Sequence, residues 1–237
     1  KNFTFLAKGP GAYWVSEAER IQTSKMEWAQ AKMEAKKLGV IIPFSKEFLR
    51  YSVQDFMKMA APLIAEAFYR AFDQAVLTGT DSPWGTDKSI LEIATAKQKV
   101  VTEGTGKNLY HDLADLLALV EADEHDPNGL LTSKSFKSKM RNVVDNNGRP
   151  MFDSKANDIL GLPISYAGKD VVDKKKALAL IGDWDYARYG ILQDIEYAVS
   201  TDAQLSTIQG ADGKPVNLFE QDMFALRATM EVAYLNV

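Results

Sequence analysis

From Val53 to Leu77 the chain holds apolar residues at helical spacing without a gap. Val53, Phe56, Met57, Ala60, Ile64, Ala67, Phe68, Ala71 and Ala75 recur at three- and four-residue steps. At 1.5 Å per residue this predicts a helix roughly 35 Å long, longer than the usual globular helix. Pro62 lies inside it and lacks an amide donor, so a kink or break is expected there. Gly79 is a suitable C-terminal stop. Phe68, Tyr69 and Phe72 suit packing into neighbouring elements rather than chemistry. At 237 residues the chain can bury on the order of 70% of its extended surface, so a core needs no staple. One elaborated domain or two intimate ones are expected.

Composition narrows the function classes. There is no cysteine, which rules out disulfides, zinc ribbons, iron–sulfur clusters and thiol nucleophiles. Two histidines, His111 and His125, leave little for a histidine-built metal site or triad. The 28 basic and 32 acidic side chains give a formal charge of −4, unlike the basic excess of a dedicated nucleic-acid binder. No apolar run reaches the length of a membrane span, so no membrane partner is expected. The chain starts at Lys1 without a signal-peptide pattern, which reads as a trimmed or matured start.

The segment Phe3 to Ile42 is ambiguous from its residues. Tyr13-Trp14-Val15 has strand-forming types, while Met26 to Lys37 is rich in strong helix formers. Yet that run has no start signal, and Met26 with Trp28 also fits the period of a strand. Ser45 is a candidate N-cap for a short helix over Lys46 to Tyr51. After the long helix, Thr80 to Gly85 reads as a turn-rich link. A strand is expected over Lys99 to Thr102, then a Gly-Thr-Gly turn and a helix from about Leu109 to Ala122. Leu130-Leu131 reads as a buried strand, and Ser133 as the cap of a helix over Lys134 to Val144 ending in the Asn146-Asn147-Gly148 turn. Strands are expected over Ile159 to Tyr166, Ala177 to Ile181, Ile191 to Ser200 and Phe224 to Val237. Ala211 to Lys214 is a turn signal, followed by a short helix near Leu218 to Asp222. No repeat or low-complexity tract appears. The class is α+β.

Chemical motifs are weak. Glu121 to Gly129 invites a calcium loop started at Glu124, but position twelve is Ser135 rather than glutamate, and Pro127 interrupts it. A helix end followed by a Pro-Asn-Gly turn is the better reading. Gly104-Thr105-Gly106-Lys107 lacks the spacing and the following hydroxyl of a phosphate loop. No serine sits in a nucleophile elbow, and no carboxylate pair stands out in so acidic a chain. Lys174-Lys175-Lys176 reads as a solvated turn. Trp14, Trp28, Trp84 and Trp184 read as core or interface anchors. No catalytic residue, cofactor or metal is assigned.

Several stretches, in order across nearly the whole chain, resemble the major capsid proteins of tailed bacteriophages, the HK97-type fold family. Ile42 to Ser52 is similar to that family's strand and serine-started helix, which lead into a long spine helix. Ala65 to Gly79 resembles the spine helix and its terminal glycine, and Pro83-Trp84-Gly85 the turn after it. Asp145 to Phe152 is similar to an Asp-x-x-Gly-Arg turn, Leu160 to Ile164 to a Gly-x-Pro strand start, and Ile181 to Tyr186 to a Gly-Asp-aromatic turn. Phe219 to Asp222, Arg227 and Glu231 to Tyr234 resemble the closing helix and long strand.

The resemblance implies an HK97-type α+β fold with an extension-loop arm, a peripheral domain and an axial domain. Residues 1–44 correspond to the arm and flanking strands, 45–107 to the peripheral domain, 108–212 to the axial domain and 213–237 to a return to the peripheral domain. An arm without its own core takes its conformation from partners, so Tyr13 to Arg20 and Lys25 to Leu38 are expected as strands despite their helix formers. Trp14, Trp28 and Met33 are expected to be exposed on the arm and covered between subunits. Some members cross-link a loop lysine to a partner asparagine. Lys25, Lys32, Lys36 and Lys37 match by location alone, and that chemistry is not carried over.

The implied function is structural: pentamers and hexamers of the chain close into an icosahedral shell around double-stranded DNA, which is touched weakly and non-specifically. A scaffolding segment or protein, a maturation protease and a portal are the further partners. The implied location is the virion capsid, assembled in the bacterial host cytoplasm. Two rivals are weighed. An encapsulin-type compartment shares the fold and predicts a cargo-peptide groove. A carboxylate-based α+β hydrolase predicts a self-contained core with a deep acidic pocket.

Overall fold

Alternation puts Leu38, Val40, Ile42 and Phe44 on one face of the segment before the long helix. The same period near the C-terminus aligns Phe224, Leu226, Ala228, Met230 and Val232. The computed structural model describes residues 2–15, 17, 20, 23–49, 53–104, 108–145, 147–153, 157–172, 176–209 and 215–236. Its first strands are β1 (Asn2–Lys8), β2 (Glu27–Lys32) and β3 (Glu34–Ser45), leading into α1 (Lys46–Leu49) and α2 (Val53–Leu77). Two further helices follow, α3 (Ile90–Ala96) and α4 (Leu109–Glu121). Next come β4 (Gly129–Ser133), α5 (Phe136–Arg141), β5 (Asp158–Ile159), β6 (Leu162–Ala167) and β7 (Ala179–Gly182). The chain closes with β8 (Ala187–Ser200), β9 (Gln204–Gln209), β10 (Pro215–Asn217) and β11 (Met223–Asn236).

The apolar faces of β3 and β11 meet in one antiparallel sheet of order β3-β11-β8. Register runs unbroken from Met223↔Ser45 to Tyr234↔Glu34. Against that face lies α2, whose Phe56, Ala60, Ile64 and Phe68 are buried with the five inward residues of β11. The four-residue step of α2 and the two-residue step of β11 thus present matching stripes. Phe44, Phe56 and Phe224 lock the start of the contact, with ring centroids 4.5 and 5.4 Å apart for Phe44 to Phe56 and Phe44 to Phe224. The helix runs unbroken through Pro62, which faces solvent. Gly79 ends it at φ 71°, and a Cβ there would stand 2.9 Å from the Ser89 hydroxyl.

A second core gathers Leu113 of α4, Leu130 of β4, Phe136 and Met140 of α5, Phe152 and Ile159. Its sheet has the order β5-β6-β4-β7, with β4 parallel to β6 and antiparallel to β7. The turns that resembled family motifs have clear local causes. Asp145 accepts hydrogen bonds from the amides of Asn147 and Arg149, each 2.8 Å, which closes the turn over Gly148. Asp183 accepts from the side chain of Asn128 and from the Asp185 amide. The Trp184 indole donates to the Gly129 carbonyl at 3.0 Å, tying the start of β4 to the end of β7. Leu77, Val171, Val172 and Leu180 form a third cluster. A smaller one, Leu205, Val216, Leu218 and Ala225, covers the outer face of β11 where it begins.

Several expectations are corrected. Lys99 to Thr102 forms no strand, and the helix α3, capped by Ser89, lies just before it. The Ser133 hydroxyl lies in β4; the helix after it is shorter, starting at Phe136. The strand over Ile159 to Tyr166 is split by a turn at Leu160-Gly161, both at positive φ. Leu218 to Asp222 is a hydrogen-bonded turn rather than a helix, since Asp222 is left-handed at φ 49° and β11 starts immediately after it. The strand at Ile191 begins earlier, at Ala187. Tyr51, Thr105 to Lys107, Asn146, Lys174, Lys175, Ala211 to Lys214 and Val237 lie outside the described residues.

Two outcomes follow. Leu226, 1% exposed at the centre of the α2–β11 contact, is expected to cost about 2–5 kcal/mol when changed to alanine, read by denaturant unfolding of the unassembled subunit. Tyr234 is buried on β11, and burial pushes its phenol up to about 12. The unfolded chain releases that proton near 10.0, so between there and about 12 the folded state binds more protons and stability falls as pH rises. Tyr234→Phe is expected to remove that part of the alkaline loss in pH-dependent unfolding.

Candidate functional site

One hairpin contributes no described residue to the four buried clusters. β1 pairs with β2 alone, antiparallel from Asn2↔Lys32 to Lys8↔Glu27, with a bulge between Leu6 and Lys8. An isolated two-stranded sheet is at best marginally stable in water. The β2 sequence, Glu-Trp-Ala-Gln-Ala-Lys, holds strong helix formers, yet it is extended because cross-strand bonds to β1 satisfy its backbone. The helix propensity is overridden by pairing. Of Tyr13 to Arg20, expected as a strand, Tyr13 to Val15, Glu17 and Arg20 instead belong to the loop joining β1 to β2, while Ser16, Ala18 and Glu19 lie outside the described residues. The Gly11 amide donates to the Ser24 hydroxyl across that loop at 2.6 Å.

The arm carries large apolar side chains in water. Trp14 is fully exposed, and Trp28 is 62% exposed, with Tyr13 and Met26 about half exposed beside them. Aromatic residues with a polar tip are the types enriched at the centres of protein interfaces. Met33 corrects the expectation of exposure. It is buried at the root of the arm, where its sulfur lies 3.5 Å from the position of a Cβ on Gly190. Met33 therefore fastens β2 and β3 onto β8 within one chain.

The root is fixed a second time by Trp84, whose indole donates to the Glu34 carbonyl at 2.9 Å. Glu34 in turn receives Lys32 at 3.0 Å and Lys36 at 3.8 Å. The hydrogen bond and charge of Lys32, then the charge of Lys36, hold its carboxyl below the usual carboxylate range. Trp84 also packs on Tyr234, ring centroids 6.1 Å apart, and on Phe72 of α2.

Exposed apolar groups recur on the sheet and the long helix. Met59 and Leu63 stand one turn apart on α2, both about two-thirds exposed. Tyr189, Ile191, Leu192 and Val199 are exposed on β8, an edge strand of the three-stranded sheet. Residue reading missed this surface. Its signal is present as Ile191-Leu192, adjacent apolar residues in a strand, which leaves one of them facing outward whatever the register.

Four of the residues weighed for chemistry are engaged structurally. Asp123 binds Lys99 at 2.9 Å, which lowers its carboxyl below the usual range, and Asn128 binds Asp183 and the Trp184 amide. His111 meets the Asn108 side chain that caps α4, and His125 packs edge-on to Tyr186. Among the described residues no cluster of three or more histidine and carboxylate groups is placed to hold a metal. A cleft of ≈ 510 Å³ between α3, α4 and β7 has a mostly apolar lining, in which Glu103, Asp112 and Asp183 are offset by Lys99 and Lys176, unlike the deep acidic pocket a carboxylate hydrolase predicts. No described helix is long and apolar enough to cross a membrane.

Comparison with known proteins agrees with this architecture. Residues 1–236 match the model of the phage capsid family. The major capsid protein of Staphylococcus phage 80alpha is 43% identical over 98% of this chain and 70% of its own length. A solved structure from Microbacterium phage Oxtober96 superposes with a TM-score of 0.87 at 29% identity, over 100% of this chain and 80% of that one. The capsid of an empty GTA particle, computed with C5 symmetry, shares the fold at a TM-score of 0.70 and 17% identity, over 98% of this chain and 80% of that one. These relatives are structural proteins, so the compartment and hydrolase readings are not favoured. The chain belongs to the phage capsid family, with an HK97-type α+β fold, and is a structural shell subunit rather than an enzyme.

Proposed function

We propose that copies of this chain close into an icosahedral shell around double-stranded DNA, as pentamers and hexamers, with each arm laid over a neighbouring copy. The observation that carries this reading is the β1–β2 hairpin: a two-stranded sheet with exposed Trp14 and Trp28, none of whose described residues joins a buried cluster. Covering those indoles by an adjoining copy removes apolar area from water, and closed symmetry repeats the gain at each contact. In this reading 45–107 and 213–237, which supply α2 and β11, are the peripheral domain, and β3 and β8 join it from the segments on either side through the shared sheet. The second core, within 108–212, is the axial domain.

A scaffolding segment or protein, a maturation protease and a portal complete the partners, and assembly takes place in the host cytoplasm. The near balance of 28 basic and 32 acidic residues supports weak, non-specific contact with the packaged DNA. Met33 belongs to the intra-chain root of the arm, so the inter-subunit role rests on Trp14 and Trp28.

Trp14→Ala and Trp28→Ala in the full-length protein are expected to leave subunit unfolding within about 0.5 kcal/mol of the parent, because both are surface positions. Each is expected to weaken assembly by about 2 kcal/mol or more, the cost of truncating an interface hot spot. Sedimentation velocity and electron microscopy across a concentration series read the difference. Particles formed equally well by both variants remove the arm from the assembly contact.

A further inference from the structure

The sheet of the second core, ordered β5-β6-β4-β7, carries opposite charge at its two ends. β4 runs parallel to β6 and antiparallel to β7, so the ends of β4 and β6 and the start of β7 lie together. A lysine stands just beyond each of them: Lys134 directly after β4, Lys169 shortly after β6 and Lys176 shortly before β7. The Thr132 hydroxyl donates to the Leu178 carbonyl at 2.7 Å, which holds the approach to β7 against the end of β4. Lys137, near the start of α5, joins the row. Its ammonium lies 4.3 Å from the centroid of the Tyr166 ring, and Tyr166 pairs with Thr132 at this same end. These lysines are exposed and make no ion pair among the described residues. The described acidic groups beside them are Asp170, next to Lys169, and Glu103, already bound by Lys139.

The other end is acidic. Glu124 and Asp126 precede β4, Asp185 follows β7, and Asp158 on β5 pairs with Pro163 near the start of β6. These carboxylates are exposed and make no ion pair among the described residues. Two contacts join the loops here into one surface: Asn128 donates to Asp183 at 3.0 Å, and His125 packs edge-on to Tyr186. The described cations beside this end are Lys99, bound to Asp123, Lys97, which acts on Asp123 through space, and Arg188 on β8. At about 3.3 Å per residue, the five residues of β4 hold the two ends roughly 17 Å apart. That exceeds the screening length in ordinary salt, so one copy cannot neutralise its own ends.

We infer that the basic end of this sheet docks against the acidic end of the same sheet in the next copy of the chain, head to tail around the axes of the shell. The inference rests on the shell reading above and names the surface that joins neighbours within one ring. A ring is built from heterologous contacts, in which one patch meets a different patch on the next copy. Ends of opposite sign suit that geometry, because every contact brings Lys134 and Lys137 toward Asp126 and Asp185. Pairing about a two-fold axis would set equal charges against each other, which is penalised. Charges of this kind fix partner and register more than they add affinity.

The test uses the full-length protein and three variants: Lys134→Glu with Lys137→Glu, Asp126→Lys with Asp185→Lys, and all of these changes together. The positions are exposed, so the isolated subunit of each variant is expected to keep the parent's denaturant midpoint. Either reversal alone is expected to raise the concentration needed for assembly about ten-fold at low salt, because like charges then meet across the contact. The deficit is expected to shrink as salt rises. The combined variant restores opposite charges at every contact and is expected to recover assembly. A second readout needs no variant. In particles assembled from mixed isotope-labelled and unlabelled parent, a carbodiimide, which joins an amine to a carboxylate without a spacer, is expected to link Lys134 or Lys137 to Asp126 or Asp185 of a copy carrying the other label.

Reversals that assemble like the parent, with no such link, overturn the docking of the two ends while leaving the shell standing. A combined variant as deficient as the single reversals, again with no link in the parent, does the same. A basic-end reversal that leaves assembly unchanged but abolishes retention of a double-stranded DNA oligomer overturns the neighbouring copy as the occupant and assigns that end to nucleic acid. A parent that forms no particles overturns the shell reading itself, before any variant is compared.

Discussion

The contact between α2 and the inner face of β11 organises the molecule. A 25-residue helix exposes a long apolar stripe, and only an element of comparable length covers it. β11, 14 residues in an extended chain, supplies that length, because a strand rises about twice as far per residue as a helix. Holding β11 flat against α2 requires strands on both sides, which β3 and β8 provide. β3 then passes directly into β2, so the arm departs from the sheet's edge at a position set by Met33, Gly190 and Trp84.

The arm inverts the logic of the core. Within the core, apolar side chains are covered by their own chain, and burying each contributes roughly 1.5–3 kcal/mol. On the arm Tyr13, Trp14, Met26 and Trp28 stay in water, and the strand backbone is paired within the hairpin. Such a segment is costly for a lone subunit and useful to a repeated one, since the uncovered area becomes available when copies meet. The edge strands β3 and β8 also carry exposed apolar side chains, Ile41 on the first and Tyr189 and Leu192 on the second.

The long helix, its stop at Gly79, the α4 helix and the closing strand were legible because each has a long periodic pattern or a capping residue. The short elements were not. The α3 helix spans seven residues, too few for a period to emerge from its neighbours. Asp222 and Leu160 take left-handed conformations that their residue types do not announce, which turned an expected helix into a turn and an expected strand into two. At the candidate site Trp14 and Trp28 are exposed as expected, whereas Met33, expected to be exposed with them, is buried. Its burial depends on Gly190, 157 positions away, leaving room on β8 for the thioether.

The residues alone determined which segments hold apolar stripes, where the long helix stops, and that thiol-based chemistry is absent, because these follow from local spacing and composition. Tertiary structure decided the conformation of β2, the burial of Met33 and the sorting of Lys134 and Lys169 to one end of a sheet and Asp126 and Asp185 to the other. Those outcomes depend on pairing between distant strands. A run of alanine, glutamine and lysine becomes extended only when β1 meets its hydrogen-bonding edge. The Tyr234 phenol becomes buried only when β11 pairs with β3 and Trp84 packs on its ring.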